Sequence, residues 1–151
     1  MGQVSSLPAA LGKGALMAAM RDDPQDAGRI GGSDDAVHGI AAAMDYLRGL
    51  ELLEQRFGPE HPKVALCLDG IACLCRDQGQ LAEAETLYRR ALAILERSVG
   101  PNDPDTASIL ENLTIVLYES GREDEARELF DRAKAARDVQ ARLDRLSRDK
   151  A

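Results

Sequence analysis

Two segments of this chain are copies of each other, separated by a fixed period. The residues from Gly58 to Ala65 recur from Gly100 to Ala107, 42 positions later, with the same Gly-Pro-x-x-Pro pattern. The similarity continues beyond this loop in the pairs Leu68/Leu110, Gly79/Gly121, Glu83/Glu125, Ala84/Ala126, Leu87/Leu129, Tyr88/Phe130, Arg90/Arg132 and Ala91/Ala133. A repeat of this length is typical of a solenoid, in which each unit buries its apolar face against a neighbour. Because solenoids seldom catalyse reactions, the repeat predicts a binding surface before an active site.

Composition favours helices and excludes several classes of partner. Ala, Leu, Glu and Arg are abundant, whereas aromatic residues make up only 3% of the 151 residues, too few for a sheet protein. The net charge of −7 disfavours duplex nucleic acid, which requires clustered Lys and Arg. No apolar run approaches the roughly 20 residues of a membrane span. The most apolar stretch, residues 7–20, is interrupted by Lys13 and lacks the basic start of a secretory signal.

The three cysteines, Cys67, Cys73 and Cys75, indicate reduced thiols. They are odd in number and fall within one predicted helix, which is no disulfide framework. A zinc site would need further ligands, and the chain has only two histidines, His38 and His61. We therefore predict no metal and a reducing, cytoplasmic environment.

The chain also lacks the motifs of catalysis. It contains no Gly-rich phosphate loop between a strand and a helix, and no Ser/His/Asp or Cys/His set. The carboxylates are spread over predicted helix surfaces, as solvated faces require. We predict that the protein is not an enzyme and binds no cofactor.

The repeat pattern divides the chain into a mobile N-terminal segment with a Gly/Pro-containing linker over 1–32 and a repeat domain over 33–151. Within this domain we expect a half-repeat at 33–57, a repeat at 58–99 and a repeat at 100–151. Helices are predicted from about 33 to 57 and over 62–77, 81–98, 104–119 and 123 to about 148, with Gly79 and Gly121 just past helix ends at positive φ. The last helix is predicted to cap the array, and its apolar stripe leaves a partner-helix seam as the alternative.

The motifs within each unit resemble the tetratricopeptide repeat. Ala84, Tyr88 and Ala91 match its small-aromatic-small signature, and the 42-residue period with the Gly-Pro-x-x-Pro loop looks like the kinesin light chain type. The resemblance implies an all-α, short right-handed α-solenoid of antiparallel helix pairs with a long C-terminal capping helix. It also predicts a buried set comprising Ala84, Tyr88, Ala91, Leu110, Leu113, Ala126, Phe130 and Ala133.

By the same resemblance, the first helix of each unit lines a concave face that binds a partner peptide. The implied positions, here called the groove face, are Leu66, Asp69, Gly70, Cys73, Arg76, Ser108, Glu111, Asn112, Ile115 and Tyr118. Light-chain-type repeats hold a peptide backbone with paired asparagines, of which only Asn112 is retained here. The Lys/Asn/Arg set that binds a terminal carboxylate in other relatives is absent, and Asp69 and Glu111 have the opposite charge there. These carboxylates are either solvated surface or select a protein or peptide partner with Lys or Arg.

Two alternatives remain open. The apolar ends of the repeat array could pair with another copy, which would make the protein a structural or oligomerisation module. The start Met1-Gly2-Gln3-Val4-Ser5-Ser6 also satisfies the pattern for N-myristoylation at Gly2, which would give a membrane-tethered adaptor. Without that lipid, no membrane partner is expected.

Overall fold

The structure, a computed structural model, describes residues 33–149, with the side chains of 33–40 and of residue 42 left out of the description. The predicted mobility of residues 1–32 and the Gly2 site therefore lie outside the described residues. Five helices and no strand occur in the described part of the chain, so the all-α prediction is confirmed. None of these helices combines the length and the apolar character needed to cross a membrane.

The helices begin and end where the sequence pattern predicts. They are α1 (Ser33–Phe57), α2 (Pro62–Asp77), α3 (Leu81–Ser98), α4 (Pro104–Glu119) and α5 (Glu123–Arg148). The first helix of each repeat starts with Pro, which fits the first turn because its missing N–H needs no partner there. The preceding residue caps it: His61 Nδ1 accepts from the Lys63 N–H at 3.2 Å, and Asp103 accepts from the Asp105 N–H at 2.9 Å.

Glycine ends both first helices in the predicted way. Gly79 and Gly121 have φ values of 77° and 76°, a left-handed conformation that glycine adopts without steric cost. Their N–H groups bond to the carbonyls of Arg76 and Tyr118 at 2.8 and 3.0 Å. These turns let α3 fold back on α2 and α5 fold back on α4, which produces the two helix pairs of the solenoid.

The core is continuous across the stacked pairs. Each helix packs on its neighbours in the chain, and α2 also contacts α4. The core centres on large side chains from all the inner helices, including Leu68, Ile71, Tyr88, Ile94, Leu95, Leu110, Leu113 and Leu117. Of the residues predicted to be buried, all are buried except Phe130.

The prediction that Phe130 is buried is wrong, since 55% of its surface is exposed. Its counterpart Tyr88 is fully buried because α4 packs against the helix that carries Tyr88. No helix within residues 33–149 packs on α5 in that way. Matching residues in successive repeats therefore have different environments when, among the described helices, another unit packs on only one of them.

Ion pairs repeat along the array with the same 42-residue period. Arg90 on α3 donates to Glu54 on α1 at 2.7 Å, and the corresponding residues, Arg132 on α5 and Glu96 on α3, form the same pair. These pairs join the second helices of successive units near the surface. Ion pairs near the surface contribute about 0–1 kcal/mol each, so the apolar core supplies most of the stability.

Candidate functional site: the groove face

The groove face occupies one side of the two contacting helices α2 and α4. Its members recur at intervals of three and four residues, which places them on one side of each helix. All ten positions are exposed or half-buried, whereas the opposite sides of these helices form the core. Leu66, Ile115 and Tyr118 leave large apolar surfaces open on this side, with 66% of Tyr118 exposed. The predicted residues therefore lie together on an accessible surface.

Asn112 is held in place by Asp69. The Asn112 Nδ2 donates to Asp69 Oδ1 at 2.9 Å, which links α4 to α2 across the groove face. Burial raises the pKa of the Asp69 carboxyl, and the hydrogen bond from Asn112 opposes that rise. The pairing follows from the stacking of the two units and leaves no local signal in the sequence, because the two residues are 43 positions apart.

Glu111 is held by Arg137 of α5, a residue that the sequence reasoning did not include in the site. Arg137 Nε and Nη2 each donate to one Glu111 oxygen at 3.0 Å, and Nη2 also reaches Ser108 Oγ at 3.2 Å. The hydrogen bonds from Arg137 hold the pKa of Glu111 below its ordinary value. The preceding repeat has Leu95 at the position equivalent to Arg137. This replacement of an apolar residue by a cation is the sequence feature that could have indicated a polar contact here.

The third polar contact involves Cys73 and Tyr88. The Cys73 Sγ lies 3.0 Å from the Tyr88 hydroxyl, which satisfies the one polar group of a buried ring. Burial is the largest factor that raises the pKa of Tyr88, and the contact with Cys73 adds to it. Arg76, at the end of the same helix, makes a single contact of 3.4 Å with Asp77. Arg76 is the one cation among the ten groove-face positions, and Asp77 is the carboxylate with which it pairs in the described part of the chain.

A comparison with known families decides the classification. A model described as "Tetratricopeptide repeat" matches residues 40–97 and 74–138, which together cover most of the chain. The chain belongs to the tetratricopeptide repeat family. Proteins with such repeats generally mediate protein–protein interactions. A comparison with curated proteins found no match.

Within this tetratricopeptide repeat chain the thiols are packed side chains. All three cysteines are unpaired, and Cys67 donates to the Tyr46 carbonyl at 3.2 Å. Burial raises the pKa of Cys75 to about 11, which keeps that sulfur protonated and weakly nucleophilic at neutral pH. Among the side chains that the structure describes, no group of His, Cys, Asp and Glu is arranged so that it could hold a metal ion.

Proposed function

We propose that the protein binds an extended segment of a partner protein on the groove face. The observation that carries this proposal is the exposure of three large apolar side chains, Leu66, Ile115 and Tyr118, beside half-buried polar groups on two contacting helices. Exposed apolar groups rimmed by polar residues are characteristic of interaction surfaces. The arrangement offers apolar anchors for side chains and hydrogen-bonding groups for a peptide backbone.

Asn112 is the residue best suited to the peptide backbone. One N–H of its amide is engaged by Asp69, so the amide has a preferred orientation before a ligand arrives. Its second N–H and its carbonyl oxygen make no hydrogen bond within the described residues. These two groups are complementary to a backbone C=O and N–H of a peptide. Pre-orientation by Asp69 reduces the entropy that binding would otherwise cost.

The charges of the groove face favour Lys or Arg in the ligand. Asp69 and Glu111 supply two carboxylates, whereas Arg76 lies at the far end of α2. Because Arg137 already donates to both Glu111 oxygens, a ligand cation near Glu111 would have to exchange with Arg137. The exposed pair contributes little net stability, so this exchange has a small cost.

The test begins with capture of a partner and mapping of its bound segment as a synthetic peptide. Asn112→Ala should weaken the affinity for that peptide by about 1–3 kcal/mol because a desolvated peptide group loses its partner. Asn102→Ala, in the exposed loop before α4, is the matched control and should leave affinity unchanged. Asp69→Asn and Glu111→Gln should mainly reduce the dependence of affinity on salt. Full affinity in Asn112→Ala, with normal melting, would place the interface elsewhere.

The remaining parts of the proposal concern class and location. The 42-residue period and the Gly-Pro-x-x-Pro loop support a kinesin light chain-type repeat, and the unpaired cysteines support a reducing cytoplasmic compartment. We propose a non-enzymatic scaffold that acts without a cofactor. Tethering through a lipid on Gly2 stays a prediction, which intact mass measurement of protein from a eukaryotic host would check.

A second candidate function is self-association through an end of the array. It is favoured by the last two turns of α5, where Leu143 and Leu146 are largely exposed and every residue from 141 to 149 is open to solvent. Light scattering over a concentration series separates this function from the first. A monomer at all concentrations would exclude it.

A further inference from the structure

The second helix of each unit carries an equivalent stripe of four residues on the side that faces the following unit. The stripe spacing is three, four and three residues, so its members align along one side of the helix. We call it the outer stripe. It consists of Ala43, Tyr46, Leu50 and Leu53 in α1, of Glu85, Tyr88, Leu92 and Leu95 in α3, and of Arg127, Phe130, Lys134 and Arg137 in α5.

In α1 the outer stripe contacts the next helix, α2. Among the described helices, α1 packs extensively only on α2, and Leu50 of this stripe belongs to the shared core. The Tyr46 ring lies directly over Gly70 of α2, where an added Cβ would come within 2.4 Å of it. The corresponding stripe of α3 is more deeply buried: Tyr88 and Leu95 are closed to solvent on the helix that packs against α4, whereas 41% of Tyr46 is exposed. The outer stripe therefore contacts a following helix in both α1 and α3.

In α5 the same surface is open and its chemistry has changed. Phe130 keeps the aromatic ring of the repeat and is 55% exposed. Lys134 replaces a leucine, Arg127 replaces Glu85, and both cations are exposed. Neither forms an ion pair within the described residues, even with the nearby Asp131 and Asp138 on α5. Arg137, the fourth member, is engaged by Glu111.

These features define what could occupy the stripe. A further unit of the same kind would present apolar side chains to Lys134 and bury that ammonium without a partner, which is costly. A helix with one apolar side chain flanked by carboxylates would instead cover Phe130 and pair with Arg127 and Lys134. Three of the four residues of this stripe are cationic, and this local positive charge is complementary to carboxylates on a partner, although the whole chain is acidic.

We propose that the outer stripe of α5 is a docking site for an amphipathic helix of a partner protein, with an apolar anchor on Phe130 and acidic residues on Arg127 and Lys134. In the described part of the chain, only Arg137 contacts both surfaces, whereas Phe130, Arg127 and Lys134 lie outside the groove face, so variants at these three positions test this proposal without altering the groove face. The partner helix would lie where α2 and α4 lie on their own preceding helices. Phe130 supplies the contact area, and the two cations supply selectivity.

Two synthetic helical probes test this proposal with the full-length protein. Both are capped, alanine-based 16-residue peptides with one central Leu, and they differ only in having Glu or Lys three residues before and four residues after it. Titration into isotopically labelled protein, followed by NMR, locates and measures binding even when it is weak. The Glu probe should bind at least about tenfold tighter than the Lys probe, because two attractive pairs replace two repulsive ones. The shifted signals should lie on α5 around Phe130.

Variants make the outcome decisive. Lys134→Glu should reduce or reverse the preference for the Glu probe, and Phe130→Ala should weaken both probes. Arg48→Glu is the matched control. Arg48 is an exposed cation on α1, remote in sequence from the outer stripe of α5, so this change should leave the preference for the Glu probe unchanged. Equal binding of the two probes, shifts confined to α2 and α4, or no binding at millimolar concentration would overturn the proposal. Concentration-dependent self-association lost in Phe130→Ala would assign the stripe to a second copy and would also overturn it.

Discussion

Gly70 lies in the middle of α2, where a glycine costs about 1 kcal/mol relative to alanine. The structure explains why this cost is accepted. An added Cβ would lie 2.4 Å from one carbon of the Tyr46 ring and 2.6 Å from another. Glycine is therefore what allows the aromatic ring of the half-repeat to rest on the next helix. It occupies the position where Asn112 stands in the following unit.

We expect Gly70→Ala to stabilise the protein less than a helix-interior Gly→Ala change ordinarily does, because displacement of the partly exposed Tyr46 ring offsets the gain in helix propensity of about 1 kcal/mol. Gly49→Ala is the matched control. Gly49 is also within a helix, but its added Cβ would meet only Cys67 Sγ at 3.9 Å. That control should stabilise the protein by about 0.5–1 kcal/mol. Denaturant melts that show equal stabilisation by both changes would contradict the expected clash.

A substitution of Ala84 on α3 tests how closely α2 and α3 approach each other. Its side chain is fully buried, so Ala84→Leu should destabilise the protein by about 1–3 kcal/mol through overpacking. Ala93→Leu, at an exposed position of the same helix, changes the same atoms without burial and should have little effect. Unchanged melting of Ala84→Leu would mean that this alanine does not lie at a tight helix contact.

At the scale of elements, α5 is distinguished by its length and its polarity. It spans 26 residues, whereas its partner α4 spans 16, and only Ala126, Ala133 and Ala136 of α5 are buried. Arg137 fastens it to α4 through Glu111. The helix thus closes the core with small residues and presents charged groups outward, as a capping helix does.

The pair between Arg137 and Glu111 predicts a dependence of stability on pH. The pKa of Glu111 is lowered in the folded protein, so the pair stabilises the fold above the unfolded-state pKa of about 4.3. This stability is lost as the pH falls through the lowered, folded-state pKa. At pH 7, Glu111→Gln should reduce the free energy of unfolding by at most about 1 kcal/mol, because the pair is exposed.

The difference between wild type and Glu111→Gln should disappear in strongly acidic solution, where Glu111 is protonated in both the folded and unfolded states. Glu119→Gln, an exposed residue at the end of α4, is the control and should follow the wild type at every pH. Urea melts at several pH values provide the measurement. A constant difference across the range would show that the pair contributes no linked stability.

At the scale of the whole molecule, stability comes from stacking of neighbouring units. Contacts join each helix to its neighbours and extend across the array mainly through α2 and α4. The buried core is shared by α1 through α5, so no single helix pair has a core of its own. Such a molecule depends on each unit to cover the next.

Deletion of residues 1–32 tests where this cooperative unit begins. Since the core runs from α1 to α5, the shortened chain should keep its helical circular dichroism signal and one cooperative thermal transition. Deletion of residues 1–57, which also removes α1, should expose the face of α2 that covers Leu47 and Leu50 and lower the melting temperature. Unfolding of the first variant would mean that residues 7–20 belong to the repeat array.

The sequence by itself determined the features that depend on local chemistry. The 42-residue period, the bounds of the five helices and the Gly79 and Gly121 turns follow from short-range patterns of Gly, Pro and apolar residues, and the resemblance to the tetratricopeptide repeat predicts most of the buried set. Such patterns act within a helix turn or a loop, so they can be read before the chain is folded. The placement of the groove residues on one side of α2 and α4 follows from the same periodicity.

Only the tertiary structure decided which side chains are buried and which residues they contact. Asp69 meets Asn112, Arg137 meets Glu111, and Tyr46 covers Gly70 through contacts between residues more than 20 positions apart. Phe130 shows the same limit, because its repeat position predicts burial while its neighbours leave it exposed. A side chain's burial and hydrogen bonds depend on which helix packs against it, and that is a property of the stacked units as a whole.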